Sequence, residues 1–105
     1  MTLDDYVRLN RLFDLYSGLL TDKQKVIAEL HILEDLSFSE ISEQLHISKQ
    51  AVGDAIITVK TKLEDFEKKI GLLEKLEKTE LIIKEIDNSN EYTKNICELK
   101  SLWKI

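Results

Sequence analysis

Two helix-start signals, at Ser37 and at Ser48, constrain this chain more than any other feature. Ser37 precedes an apolar-periodic run and is followed three residues later by Glu40, the spacing of a capping box. Ser48 opens a second run after a gap of only His46, Ile47 and Ser48 itself. Each hydroxyl is suited to accept a backbone N–H that a helix leaves unpaired, worth about 1 kcal/mol per cap. Ile41 and Leu45 mark one face of the first short helix, and Val52, Ile56, Val59 and Leu63 mark one face of the second. Ile47 sits where a side chain would plug the corner, and Ser42 is small where the helices must approach. Two short helices joined by a tight turn read as a helix-turn-helix over residues 37–63. The competing reading is an ordinary corner between two helices of a bundle.

The rest of the chain predicts an all-α fold. It contains no proline and only three glycines among 105 residues, and it lacks strand-like alternation of β-branched residues. Tyr6, Leu9, Leu12, Phe13 and Tyr16 recur at helical spacing, with Asp4 and Asp5 at the positive end of that helix. Leu19 and Leu20 are placed to fill the following corner. Thr21 and Gln24 form a second capping box, and Val26, Ile27, Leu30 and Leu33 are predicted as the core face of the next helix, ended by Glu34 and Asp35. Phe66, Ile70, Leu73 and Leu76 prolong the apolar stripe beyond Leu63. Lys68 and Lys69 suit a helix C-terminus, which favours a break at Gly71. A fifth helix carries Leu72, Leu76, Leu81, Ile82, Ile83 and Ile86; Asp87 to Asn90 stops it, and Tyr92, Ile96, Leu99, Leu102 and Trp103 share a face of a last helix. The expected architecture is a bundle of five to six helices. Residues 1–70 form a four-helix domain holding the motif, and residues 71–105 form a C-terminal helical extension for packing or dimerisation.

Composition limits the chemistry. Cys97 is the single cysteine, which excludes an internal disulfide and a thiol zinc cluster, and it reads as a small buried apolar residue. His31 and His46 are not at metal-ligand spacing from it or from a carboxylate pair. There is no glycine-rich phosphate loop and no apolar run of the roughly 20 residues a membrane span requires. The expectation is a cytoplasmic protein that is not an enzyme, with no cofactor, metal, small-molecule substrate or membrane insertion. If the motif docks as such motifs do, Ser48, Lys49, Gln50 and Asp54 project at the tip of the second helix, and Thr58, Lys60 and Lys62 lie further along for phosphates. The net charge of −5 argues against tight DNA binding, which draws on phosphate neutralisation. A homodimer is expected through Phe66, Ile70, Leu73, Ile82, Ile83, Ile86, Tyr92, Leu99 and Trp103, because the C-terminal helices carry more apolar surface than they can bury alone.

Residues 19–24 (LLTDKQ), 34–42 (EDLSFSEIS) and 47–52 (ISKQAV), with Asp54, resemble the YlxM family of small bacterial helix-turn-helix proteins over roughly residues 6–76. The region is similar, more distantly, to region 4 of sigma factors. His46 stands where the general motif usually has glycine, and Gly53 stands where the family tends to carry a large aromatic. The resemblance implies an accessory or regulator of the signal recognition particle (SRP) protein-targeting pathway, with the SRP GTPase or SRP RNA as partner. The alternative is a transcription regulator that reads duplex DNA in the major groove through residues 49–63.

Overall fold

Four helix starts are closed by side chains, and these starts lay out the order of the molecule. The computed structural model describes residues 2–88 and 92–103, apart from the side chain of Thr93. Helix α1 (Leu3–Tyr16) opens with a capping box in which the Asp5 amide donates to Thr2 Oγ1 and the Thr2 amide donates to Asp5. Those hydrogen bonds hold the Asp5 carboxyl below its ordinary range. A short 3₁₀ turn (Ser17–Leu19) leads to α2 (Asp22–Ala28), capped reciprocally by Thr21 and Gln24. Helix α3 (Phe38–Leu45) carries the Ser37–Glu40 box, with both bonds at 3.1 Å. Ser48 accepts the Ala51 amide at 3.0 Å and starts α4 (Lys49–Ile70). Helices α5 (Leu72–Asn88) and α6 (Tyr92–Leu102) follow. All described elements are helical, and none is long and apolar enough to cross a membrane.

The chain divides into two compact units, residues 1–69 and 70–105. In the first, Ile27, Leu30, Ile41, Val52 and Ile56 form one buried cluster with Leu36, Phe38, Leu45, Ile47 and Ala55 packed around it. Leu45, expected in the core, is half-buried at its edge. Leu9, Leu12, Phe13 and Tyr16 of α1 are buried, as are Val59 and Leu63 of α4. Tyr16 donates a hydrogen bond to Glu67 at 2.7 Å and its ring lies 6.0 Å from that of Phe66, so Tyr16 packs against α4.

The core face of α2 differs from the one its sequence suggests. The helix runs on through a π turn, Glu29–Leu33, in which the Glu34 amide donates to the Glu29 carbonyl. A turn closed five residues back aligns Ile27 with Ile32 instead of with Leu30 and Leu33 alone. Ile27, Ala28, Leu30 and Ile32 are buried, whereas Val26 and Leu33 are exposed. Leu19 is exposed as well, and Leu20 alone of that pair is buried. The segment ends on Asp35 at φ 56°, with the Leu36 amide donating back to the Leu30 carbonyl and His31 Nδ1 donating to the Leu36 carbonyl. That is a left-handed helix stop one residue wider than a Schellman motif, as the π turn requires, made with aspartate in place of glycine.

An ion pair joins α1 to α4. Arg8 donates two bonds of 2.8 Å to the two oxygens of Glu64, and the hydrogen bonding from Arg8 lowers the Glu64 pKa from 4.5 against the opposing effect of burial. A carboxylate depressed in the folded state stabilises above its ordinary pKa, and that contribution is lost as the pH falls through the folded value. Both side chains are about half exposed, so solvent screening holds the effect below about 1 kcal/mol. Arg8→Ala is therefore expected to lower stability slightly at pH 7, with the difference from the parent chain shrinking in denaturant melts as the pH falls below 4.5 through the depressed Glu64 value. An unchanged difference at low pH would assign the loss to packing.

Candidate helix-turn-helix interface

The corner between α3 and α4 is built by short local bonds. His46 takes the left-handed conformation (φ 57°), which a non-glycine residue adopts at a cost of roughly 1–2 kcal/mol. The Ile47 amide donates to the Ser42 carbonyl, and Ser42 Oγ donates to the Ile47 carbonyl at 2.6 Å. Ser42 therefore closes the turn with its hydroxyl, as well as leaving room by its size. Ile47 packs on the core from the turn. The result leaves the start of α4 in solvent: Ser48, Lys49 and Gln50 are all exposed.

The other expected contact residues do not share one face. Asp54 and Thr58 are exposed, and Thr58 Oγ1 donates to the Asp54 carbonyl. Lys60 and Lys62 are half-buried. Lys60 lines a cleft of about 210 Å³ with Asp5, Arg8 and Glu64, on the α1 side of the helix. Lys62 Nζ donates to Gln24 Oε1 at 3.3 Å, on the α2 side. With roughly 100° per residue, one solvent stripe of α4 runs through Gln50, Asp54, Ile57 and Thr61. Ile57 is 64% exposed. Its place away from Val52, Ile56 and Val59 follows from the helical period, although the sequence reading assigned this face to polar residues alone.

The charge on this surface is clear once the flanking lysines are set apart. Residues 34–58 hold one lysine, Lys49, against Glu34, Asp35, Glu40, Glu43 and Asp54. All six are exposed. Gly53 is half-buried against Phe38, whose ring in turn lies 5.1 Å from that of His31. A methyl group added at Gly53 would meet the Phe38 ring at 3.7 Å, ordinary contact. Gly53→Ala is thus expected to raise stability, by up to about 1 kcal/mol, because glycine inside a helix costs that much relative to alanine. A urea melt showing destabilisation would mean that the Phe38 ring has no room to adjust.

The second unit holds most of the residues expected at a subunit contact. Leu73 and Ile82 are buried within the chain, Ile86 and Leu99 are half-buried, and Ile70, Ile83, Tyr92 and Trp103 are exposed. Phe66, in the first unit, is half-buried beside Tyr16. Asn95 is buried and donates to Glu85 at 3.0 Å, and Trp103 Nε1 donates to Thr79. Cys97 is exposed, contrary to its reading as a buried apolar residue. It lines an open furrow of about 610 Å³ with Leu81, Ile82 and Leu102, rimmed by Lys78, Glu85, Lys94 and Glu98. Taken by itself, the second unit is a hairpin of α5 and α6, and a pair of helices buries only the sides that face each other. Among the described residues, no group of three or more His, Cys, Asp or Glu side chains is arranged to hold a metal ion.

Residues 3–102 match the profile of the family described as "Putative helix-turn-helix protein, YlxM / p13 like". The chain is 39% identical to a UPF0122 protein of Halalkalibacterium halodurans over 100 residues, covering 95% of this chain and 92% of the relative. It is 38% identical to a UPF0122 protein of an Exiguobacterium species over 91% of this chain and 90% of the relative. A Bacillus cereus UPF0122 protein is 39% identical over 91% of this chain and 94% of its own length.

Proposed function

Since this chain belongs to the YlxM / p13-like helix-turn-helix family, we propose that it is an accessory protein of the SRP protein-targeting pathway that acts by binding through the open face of α4. Two things support this reading: the role in that pathway that the family resemblance implies, and a motif with no excess of positive charge. The observation that carries it is the exposed stripe Gln50–Asp54–Ile57–Thr61, which holds a carboxylate and no lysine, on a motif whose three lysines are offset by Glu40, Glu43 and Asp54. A duplex DNA reader gains much of its affinity by neutralising phosphates. Here Lys60 and Lys62 lie on the flanks of α4, away from that stripe, and α3 presents Glu40 and Glu43. The scaffold has the shape of a DNA reader and a surface unfavourable to phosphate.

Co-elution on a sizing column of the purified chain with SRP GTPase, and separately with SRP RNA, tests the proposal. A complex with at least one of them is expected. Elution apart from both at micromolar concentration would overturn it.

The second reading, a regulator of transcription that reads duplex DNA, is favoured by the exposure of Ser48, Lys49 and Gln50 at the tip of α4. Gln50 has the donor and acceptor pair that adenine offers a match to in the major groove. Under this reading Lys49→Ala and Gln50→Ala would each weaken a sequence-specific complex by about tenfold, a loss of about 1–3 kcal/mol per base contact. Under the SRP reading neither substitution changes the residual, salt-sensitive binding to DNA in a sequence-dependent way.

A further inference from the structure

We propose that one side of the α5–α6 hairpin receives the same side of a second copy of this chain, α5 of each copy lying on α6 of the other. Trp103 Nε1 donates to Thr79, which puts those two residues on one side of the hairpin. At about 100° per residue, Ile83 and Ile86 of α5 and Tyr92, Ile96 and Leu99 of α6 fall on that side with them. Ile86 and Leu99 are half-buried, whereas Ile83, Tyr92, Ile96 and Trp103 are 41–48% exposed. Among the described residues no charged side chain interrupts this strip. The opposite side of the hairpin carries Lys78, Glu85, Lys94 and Glu98 around the furrow. Leu73 and Ile82, expected at a subunit contact, are buried within the chain and take no part.

Two observations point to a second copy as the occupant. The unit 70–105 has fewer than 40 residues, a size at which stability is usually drawn from disulfides, a metal or association. With a single cysteine it has no internal disulfide, and the described residues hold no metal-binding cluster. The edges of the strip are also complementary to themselves. Glu80 and Asp87 border it on the outer side of α5 and Lys100 on the outer side of α6, each about 60–80° from its middle, while Lys84 lies further round the back of α5. Thr79 reaches Trp103, so Glu80 is level with the last turns of α6. A twofold axis running along the helices then sets Ile83 on Ile96 of the copy and Glu80 beside Lys100 of the copy, each contact made twice. The other twofold arrangement, α5 on α5, sets Glu80 against Asp87 of the copy, and like charges disfavour it.

Sedimentation equilibrium of the full chain at micromolar concentrations tests this, independently of the role proposed for α4. The expected species has twice the 12.2 kDa of one chain. Its dissociation constant should rise at least about tenfold in the double variant Ile83→Ser with Ile96→Ser. Glu80→Lys and Lys100→Glu should each weaken the dimer, and the two together should restore it. All four positions are exposed, so these variants keep the fold, and a melt of each checks it. A 12.2 kDa species throughout would overturn the proposal, whether another protein or the rest of this chain covers the strip. A dimer indifferent to Ile83 and Ile96 would overturn it as well, by placing the contact elsewhere. A double charge reversal no tighter than the single ones would overturn the laying of α5 on α6.

Discussion

Ile56→Ala and Ile41→Ala are each expected to lower the stability of the chain by about 2–5 kcal/mol in urea or guanidinium melts, the range for truncating a buried aliphatic residue. Ile41 is fully buried and Ile56 nearly so, and both belong to the cluster that joins α2, α3 and α4. Removing three methyl or methylene groups there loses the transfer free energy of those groups and leaves a cavity that three helices must collapse around. A small domain has about 5–15 kcal/mol in total, so either change consumes a large part of it. Leu45→Ala should cost less, because Leu45 sits half-buried at the edge of the same cluster where water fills the gap. A loss below 1 kcal/mol for Ile41 or Ile56 would mean that α3 and α4 do not share this core.

The second large effect is expected at the π turn. Ile32→Ala should cost about 2–5 kcal/mol, and Leu33→Ala less than about 1 kcal/mol, although the residues are adjacent and of equal size. Ile32 is 7% exposed and Leu33 56%. A regular α-helix from Thr21 would reverse this order, since it places Leu33 with Val26 and Leu30 on one face. The pair of melts therefore distinguishes a turn closed by the Glu34 amide on the Glu29 carbonyl from a continuous helix. Leu33 as the costlier truncation would refute the π turn.

These two predictions mark where the sequence was legible and where it was not. The helix starts at Thr21, Ser37 and Ser48, the corner residue Ile47, the left-handed His46, the buried stripe of α4 and the break at Gly71 (φ 70°) all follow from local chemistry that a single sequence displays. Each depends on residues within one turn of each other. The face of α2 was not legible, because no residue type in 29–33 announces a π turn. Val26, Leu33 and Leu19 were misplaced for that reason or for the neighbouring 3₁₀ turn. Cys97 was misjudged because burial on a two-helix hairpin depends on which side meets the other helix, and Asn95, not Cys97, faces inward. At the candidate interface, the exposed tip residues follow from motif spacing. The separation of Lys60 and Lys62 from it needs the positions of α1 and α2, which spacing does not supply. The exposure of Ile57 follows from the helical period, which sets it about 100° from Ile56, but residue type alone hides it among the apolar residues of α4.

Photo-crosslinking from position 57 tests the central claim, that the outer face of α4 is where this chain meets its macromolecular partner. Ile57 is replaced by benzoylphenylalanine, a tolerated change at a position 64% exposed, and the chain is irradiated with purified SRP particle and an equal amount of duplex DNA. The account predicts adducts with the particle from position 57 and none from a control on the outer side of α1, such as Val7, which is also exposed. Adducts with the duplex alone, or equal yields from positions 57 and 7, would contradict it.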